Sequence, residues 1–374
     1  AAMRRCTVLA IVSLCLVPVL SSAAPGQLDP AFGAAGIVRS RAGDGWDVAR
    51  AVAVQPDGKL VVAGYAGAYP DHAIAVARYR VDGTLDPAFG EGGRVLISIG
   101  GADKATAVAI QPDGRIVVAG VSGAPNGADT AFALARFDAD GSLDASFGTA
   151  GIVVTQVGAY ADEANALVIL PDGRLVVAGR SLAGAGFSFC VARYLPGGAL
   201  DPSFNGTGIR VDSAGTSATF HAVASQPDGR VVAAGILTVS TEDFLALSRF
   251  NADGTRDATF GTDGLATWGG FPAMTAARAV AVLPDGRILA AGAAAGASLD
   301  VDDFAVVRFD AAGVPDATFG SAGIATVPVG AAGTTEMATA MTVLPDGRIL
   351  LAGQSFGAAG ADFALARLHE AGET

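Results

Sequence analysis

The runs ATAVAIQPDGRIVVAG at residues 105–120 and AFALARFDADGSLDASFG at residues 131–148 decide the fold. The first run alternates small and branched residues as far as Gln111, turns at Pro112-Asp113-Gly114, and resumes as a branched strand through Gly120. An Asp-Gly pair between two such runs is a tight-turn signal. Ala131 to Phe137 is a third strand, Asp140-Gly141 turns the chain again, and Leu143 to Gly148 leads through Gly151 into a fourth strand at residues 152–156. No helical period of useful length runs through these four strands.

The same words return along the whole chain. A Pro-Asp-Gly-Arg/Lys tetrad starts at Pro56, Pro112, Pro171, Pro227, Pro284 and Pro345. An Asp-x-x-Phe element places its aromatic at Phe32, Phe89, Phe147, Phe204, Phe260 and Phe319. An Arg recurs at Arg78, Arg136, Arg193, Arg249, Arg308 and Arg367. Each series advances by roughly 56–61 residues, and a fixed period of that size marks a repeat architecture. A four-stranded antiparallel sheet cannot hide both faces alone, whereas six of them packed face to face around an axis can. The expected fold is therefore all-β, a six-bladed β-propeller. A stacked β-helix is the alternative, against which the hairpin turns and the length of the repeat both stand.

The runs Leu-Asp-x-x-Phe-Gly-x-x-Gly, Pro-Asp-Gly-Arg followed by two hydrophobics and Ala-Gly, and Phe-Ala-Leu-Ala-Arg-Phe resemble the delta-60 repeat family over about residues 28–372. Unit three departs with Phe204-Asn205-Gly206, and Arg256 and Pro315 replace the leading Leu in two units. The resemblance implies propeller blades in an exported bacterial protein. It implies no catalytic residues.

Composition agrees with many short strands: 51% of residues are hydrophobic, 16% are charged, and there are 51 Gly and 17 Pro. A net charge of −12 speaks against nucleic acid and against anionic membrane surfaces as partners. Arg4 and Arg5, an apolar stretch from Cys6 to Leu20 and the small residues Ser21 to Ala24 read as a secretory signal over residues 1–24. That leaves residues 25–374 as one propeller domain. An uncleaved anchor and a lipoprotein through Cys15 are the alternatives, and Leu14 disfavours the second. Cleavage would leave Cys190 as the only cysteine, hence no internal disulfide. Asn205-Gly206-Thr207 is a formal glycosylation sequon better explained as a Gly-rich turn.

Residues shared by every unit hold the unit together, so activity belongs where the units differ. Six residues before each tetrad Pro lie Arg50, Thr106, Asn165, His221, Arg278 and Thr339, each followed by Ala. On an innermost strand these would ring one mouth of the central channel, with the two Arg side chains favouring small anions. Three residues earlier sit Asp47, Asp103, Asp162 and Glu336, a candidate acidic ring broken by Ala218 and Thr275. Variable loops carrying Tyr65, Tyr69, Phe187, Trp46, Tyr160, Trp268 and Phe271 open on the same face.

Other signals are weaker. Gly353-Gln354-Ser355-Phe356-Gly357 matches a nucleophile-elbow pattern, but it leaves a strand toward a loop. His72, His221 and His369 occupy three different positions in the repeat and make no metal cluster. Asp138, Asp140 and Asp144, with Asn251, Asp253 and Asp257, hint at calcium-loop spacing, yet turn formation explains them. No cofactor is expected, with calcium the sole alternative.

Each recurrent Arg is followed eight residues later by the corner Asp: Arg78 with Asp86, Arg136 with Asp144, Arg193 with Asp201, Arg249 with Asp257, Arg308 with Asp316. These are expected to be structural ion pairs. Arg367 and Asp29 are the orphans, and a ring closed by residues 36–41 as the outer strand of the sixth blade would join them. The function expected is a secreted, monomeric, non-enzymatic propeller binding a small ligand or protein partner at its variable-loop face. A hydrolase or lyase at the channel mouth and a purely structural surface protein are the alternatives.

Overall fold

The computed structural model describes residues 29, 31–43, 45–68, 71–123, 129–182, 184, 186–269, 274–295, 302–330, 334–357 and 360–372. The expected signal segment, Tyr69 and Phe271 lie outside these residues.

Among the described residues, twenty-three strands form six antiparallel sheets, one per repeat. Blade one is β1 (Trp46–Val54), β2 (Leu60–Ala68), β3 (Asp71–Tyr79) and β4 (Arg94–Ile97). Blade two is β5 (Lys104–Ile110), β6 (Ile116–Ser122), β7 (Ala131–Phe137) and β8 (Ile152–Thr155). Blade three is β9 (Asp162–Ile169), β10 (Leu175–Leu182), β11 (Phe187–Tyr194) and β12 (Ile209–Asp212). Blade four is β13 (Ser217–Ser225), β14 (Val231–Val239), β15 (Glu242–Phe250) and β16 (Leu265–Trp268). Blade five is β17 (Met274–Val282), β18 (Ile288–Ala295), β19 (Asp302–Phe309) and β20 (Ile324–Val327). Blade six is β21 (Thr335–Val343), β22 (Ile349–Gly357) and β23 (Gly360–Leu368). The first strands of successive blades touch one another, which places them innermost. The fold is the six-bladed propeller the repeats predict.

The core lies between blades. Five apolar clusters fill the five junctions between consecutive sheets. Their recurring members are two third-strand side chains and the corner aromatic. In blade two these are Phe132, Leu134 and Phe147, each 0% exposed. The corner seats against the next blade's turn, where Gly90 N–H donates to Asp140 O at 2.7 Å. A Cβ on Gly141 would lie 2.7 Å from Gly90 N and 3.0 Å from the Phe89 ring, so glycine is what lets the blades approach.

The seam between blades six and one differs from the expectation. Among the described residues blade six has three strands, and residues 36–41 join no strand. The N-terminal corner does dock forward onto blade one in the usual register, Gly33 N–H donating to Asp82 O at 2.7 Å. Backward, among the described residues, the Asp29 carboxylate accepts from the N–H of Ala31, and Arg367 is exposed and meets no carboxylate. The forward contact is local to one turn and forms. The strand pairing would need the blade-six edge alongside, and the seam faces stay bare: Phe363 is 100% and Leu365 68% exposed, opposite Val52 at 64% and Val54 at 65% on blade one.

Candidate functional site

Every innermost strand carries a β-bulge at the same place in the repeat. The register slips between Ala49 and Ala51, Ala105 and Ala107, Ala164 and Ala166, Phe220 and Ala222, Ala277 and Ala279, and Ala338 and Ala340. The skipped residues are Arg50, Thr106, Asn165, His221, Arg278 and Thr339. A bulge leaves one residue unpaired and re-aims it. The facing residue is the Gly of the Ala-Gly pair, and it must be: a Cβ on Gly179 would sit 1.9 Å from Glu163 O, and on Gly120 2.0 Å from Lys104 O. A glycine inside a strand is the sequence signal for such a bulge.

All six bulged residues line one axial cavity of about 500 Å³. Lys104, Glu163 and Tyr65 line it too, and sequence reasoning had not set Lys104 or Glu163 there. Both lie two residues before a bulge, on the same side of the strand. Thr106 Oγ1 donates to Ala164 O at 2.7 Å, and Asn165 Nδ2 to Phe220 O at 2.8 Å, so both stitch neighbouring inner strands. Thr339 Oγ1 leans on Ala352 O at 3.4 Å. Arg278 Nη1 lies 3.0 Å from His221 Nε2. A guanidinium only donates, so His221 must accept and be neutral. Burial, with Arg278 and Arg180 nearby, holds its pKa down to about 3. Burial also lowers the Arg278 pKa. Arg50 and Lys104 both lie over the Tyr65 ring, at 5.7 Å and 5.4 Å from its centroid. Glu163 is held by Arg180 through two contacts of 2.6 and 3.0 Å, and Arg180 caps Phe187.

The acidic ring is a correction. Asp103 accepts from the N–H groups of Ile99 and Gly100, Asp162 from Val157 and Gly158, and Glu336 from Val329 and Gly330. These three are at most 1% exposed. Asp47 caps Ala42 and Gly43 in the same way while remaining exposed. In these four blades the carboxylates held by backbone amides fasten the entering loop and do not face the channel. Trp46, at the start of β1, and Tyr160, on the loop entering blade three, are exposed, and Trp268 packs on Phe309.

The remaining candidates serve the scaffold. Asp140 accepts from the N–H and hydroxyl of Ser142, and Asp253 from those of Thr255. Asp138 holds Arg115, and Asn251 donates to Thr255 Oγ1. Among the described residues no three His, Cys, Asp or Glu side chains gather as metal ligands. Ser355 lies within β22 paired with Asp362, so it has no elbow. Five Arg–Asp pairs form at 2.7–2.9 Å. Each of these Arg also covers its corner ring at 4.6–4.8 Å and donates forward to a carbonyl of the next blade: Ala139, Pro196, Ala252, Ala311 and Glu370.

A second cavity, about 440 Å³, lies on the free face of blade one, lined by Phe32, Leu60, Val62, Ala77 and Tyr79 among others. The matching face of blade two, with Ile116, Val118, Ala135 and Phe137, is filled by the preceding blade. It is an unfilled junction of the ring, not a ligand pocket.

A family model described as "Domain of unknown function (DUF5122) beta-propeller" matches residues 55–89, 111–147, 170–204, 226–260, 283–319 and 344–373, tetrad to corner in each unit but the last. No curated protein matches the chain. Among solved structures, the GH93 alpha-L-arabinofuranosidase of Fusarium graminearum with arabinobiose is 10% identical, covering 85% of this chain and 92% of that one, at a TM-score of 0.48. Sqt1 from Chaetomium thermophilum is 17% identical over 87% of this chain and 73% of that one, at 0.43. The polysaccharide lyase Uly1 is 12% identical over 85% and 77%, at 0.42. At these values the three carry no argument about function.

Proposed function

The chain belongs to the DUF5122 beta-propeller family, and from that premise we propose that it is an exported, non-enzymatic binding propeller that takes a ligand or protein partner at its channel mouth and variable-loop face. One observation carries the reading. Six bulges, each opposite a glycine, turn six side chains into one cavity, on a scaffold otherwise repeated unit by unit. Variation concentrated on a constant frame is where binding resides. The N-terminal composition and the delta-60 resemblance support export, and the net charge of −12 disfavours nucleic acid and anionic membrane. A monomer suits a site complete within one chain.

A hydrolase or lyase at the same mouth is the weaker reading, because the carboxylates it would use are held by backbone amides and by Arg180. The test is a thermal-shift screen of small probes of either charge and of none, run on the wild type and on Thr339→Trp, which plugs the cavity from an exposed member. The reading predicts at least one saturable shift that Thr339→Trp abolishes. It is wrong if no probe shows one.

A further inference from the structure

We infer that the axial cavity is an oxyanion site, and that its ligand is a small molecule presenting a carboxylate or phosphate group to Arg278, Arg50 and Lys104. The inference rests on the binding reading above and names the chemistry of that site. Among the described residues none of these three cations meets a carboxylate, in a chain of net charge −12 that pairs most of its other arginines. Arg278 is the sharpest case: Nη1 is spent on His221, and Nε is buried with no acceptor. A buried N–H without a partner is uncommon in a native structure and calls for an explanation. Arg50 and Lys104 share only the face of Tyr65, a contact that leaves their donors free.

The other charged groups facing the cavity do not cancel this field. Glu163 is neutralised in place by Arg180. His221 contributes no charge while it accepts from Arg278. The acidic residues once expected at this mouth are turned into their own loops. What remains is a cationic cavity inside an acidic protein, which concentrates anions against the charge of the whole. The guanidinium fork suits a planar or tetrahedral oxyanion over a spherical halide.

The full chain would be titrated by calorimetry with inorganic phosphate, sulfate and citrate at constant ionic strength in sodium chloride, with glucose and spermidine as neutral and cationic probes. The expected result is saturable one-to-one binding of at least one oxyanion and none of spermidine. The double variant Arg50→Gln/Lys104→Gln should weaken that binding by about tenfold or more. Arg278→Lys, which keeps the charge and the fold but loses the fork, should weaken it as well. The inference is overturned if no oxyanion binds above the chloride background, or if both variants bind as the wild type does. Glucose binding that Thr339→Trp removes and the charge variants leave intact would also overturn it while the binding reading survived. Silence from every probe would sink both.

Discussion

Arg193 shows what one repeated residue does. It is 1% exposed, holds Asp201 at 2.8 Å, stands 4.7 Å over the Phe204 ring and reaches Ala252 O on the following blade. Removing it leaves the buried Asp201 carboxylate with Arg174 as its remaining cation, so Arg193→Met should cost about 3–5 kcal/mol in urea unfolding. Arg367, at the same place in blade six, is exposed, and Arg367→Met should cost only about 0–1 kcal/mol. Equal losses would mean that the sixth pair forms in solution. The corner carboxylates also set the acid limit. Burial pushes the Asp201 pKa up, but the hydroxyl and N–H of Ser203, Arg174 and Arg193 outweigh it and bring it down to about 2. Asp86, Asp144, Asp257 and Asp316 move the same way. A folded value below the unfolded one means that the unfolded chain takes the proton first. This stability is therefore complete above about pH 4–5 and drains as pH falls toward 2, by roughly 2–3 kcal/mol for an Asp shifted as far as Asp201. Urea midpoints at pH 5 and pH 3 should show a smaller acid loss in Asp201→Asn than in the wild type.

At the scale of the strand, the bulge is the working device. Gly179→Ala would drive a Cβ to 1.9 Å from Glu163 O, so β9 must either lose its bulge or part from β10. The expected cost is about 3 kcal/mol, with Asn165 withdrawn from Phe220 O. Chemical denaturation and a crystal structure of the variant would check both parts. Much of this element was legible beforehand. The four strands of each unit follow from alternation and Asp-Gly turns, and the ring of variable residues follows from its fixed distance to the tetrad. The bulge was also written in the sequence, as a glycine kept where strand propensity resists it. The acidic residues were misread for a physical reason: the spacing of Asp103 fixes its distance along the chain, while its role depends on whether the preceding loop folds back to offer N–H groups. Lys104 and Glu163 were missed because the bulge sets two residues of one strand facing the axis, and only one was counted.

The whole molecule is set by its seam. Phe363 and Leu365 on blade six correspond to Phe132 and Leu134, which are 0% exposed, and blade one offers Leu60 and Val62 where blade two offers the buried Ile116 and Val118. The two faces are halves of a junction that forms five times elsewhere. Their own chain ends meet at an effective concentration of order mM, which outcompetes other copies at ordinary dilution. Deleting residues 29–41 removes the corner that docks on blade one, so the truncated chain should self-associate head to tail with rising concentration. Analytical ultracentrifugation should show this, and adding Phe363→Asp should suppress it; a truncated chain that stays monomeric at all concentrations would refute the match of the faces. The forward reach of the corner arginines carries one more consequence, in the order of assembly. Each of the first five blades finishes its corner only by borrowing a carbonyl from the blade that is synthesised after it. A nascent chain therefore always trails one unsatisfied guanidinium at its growing end and none at its beginning. Blade n therefore completes its corner only once blade n+1 is in place, whereas blade n+1 asks no such carbonyl of blade n.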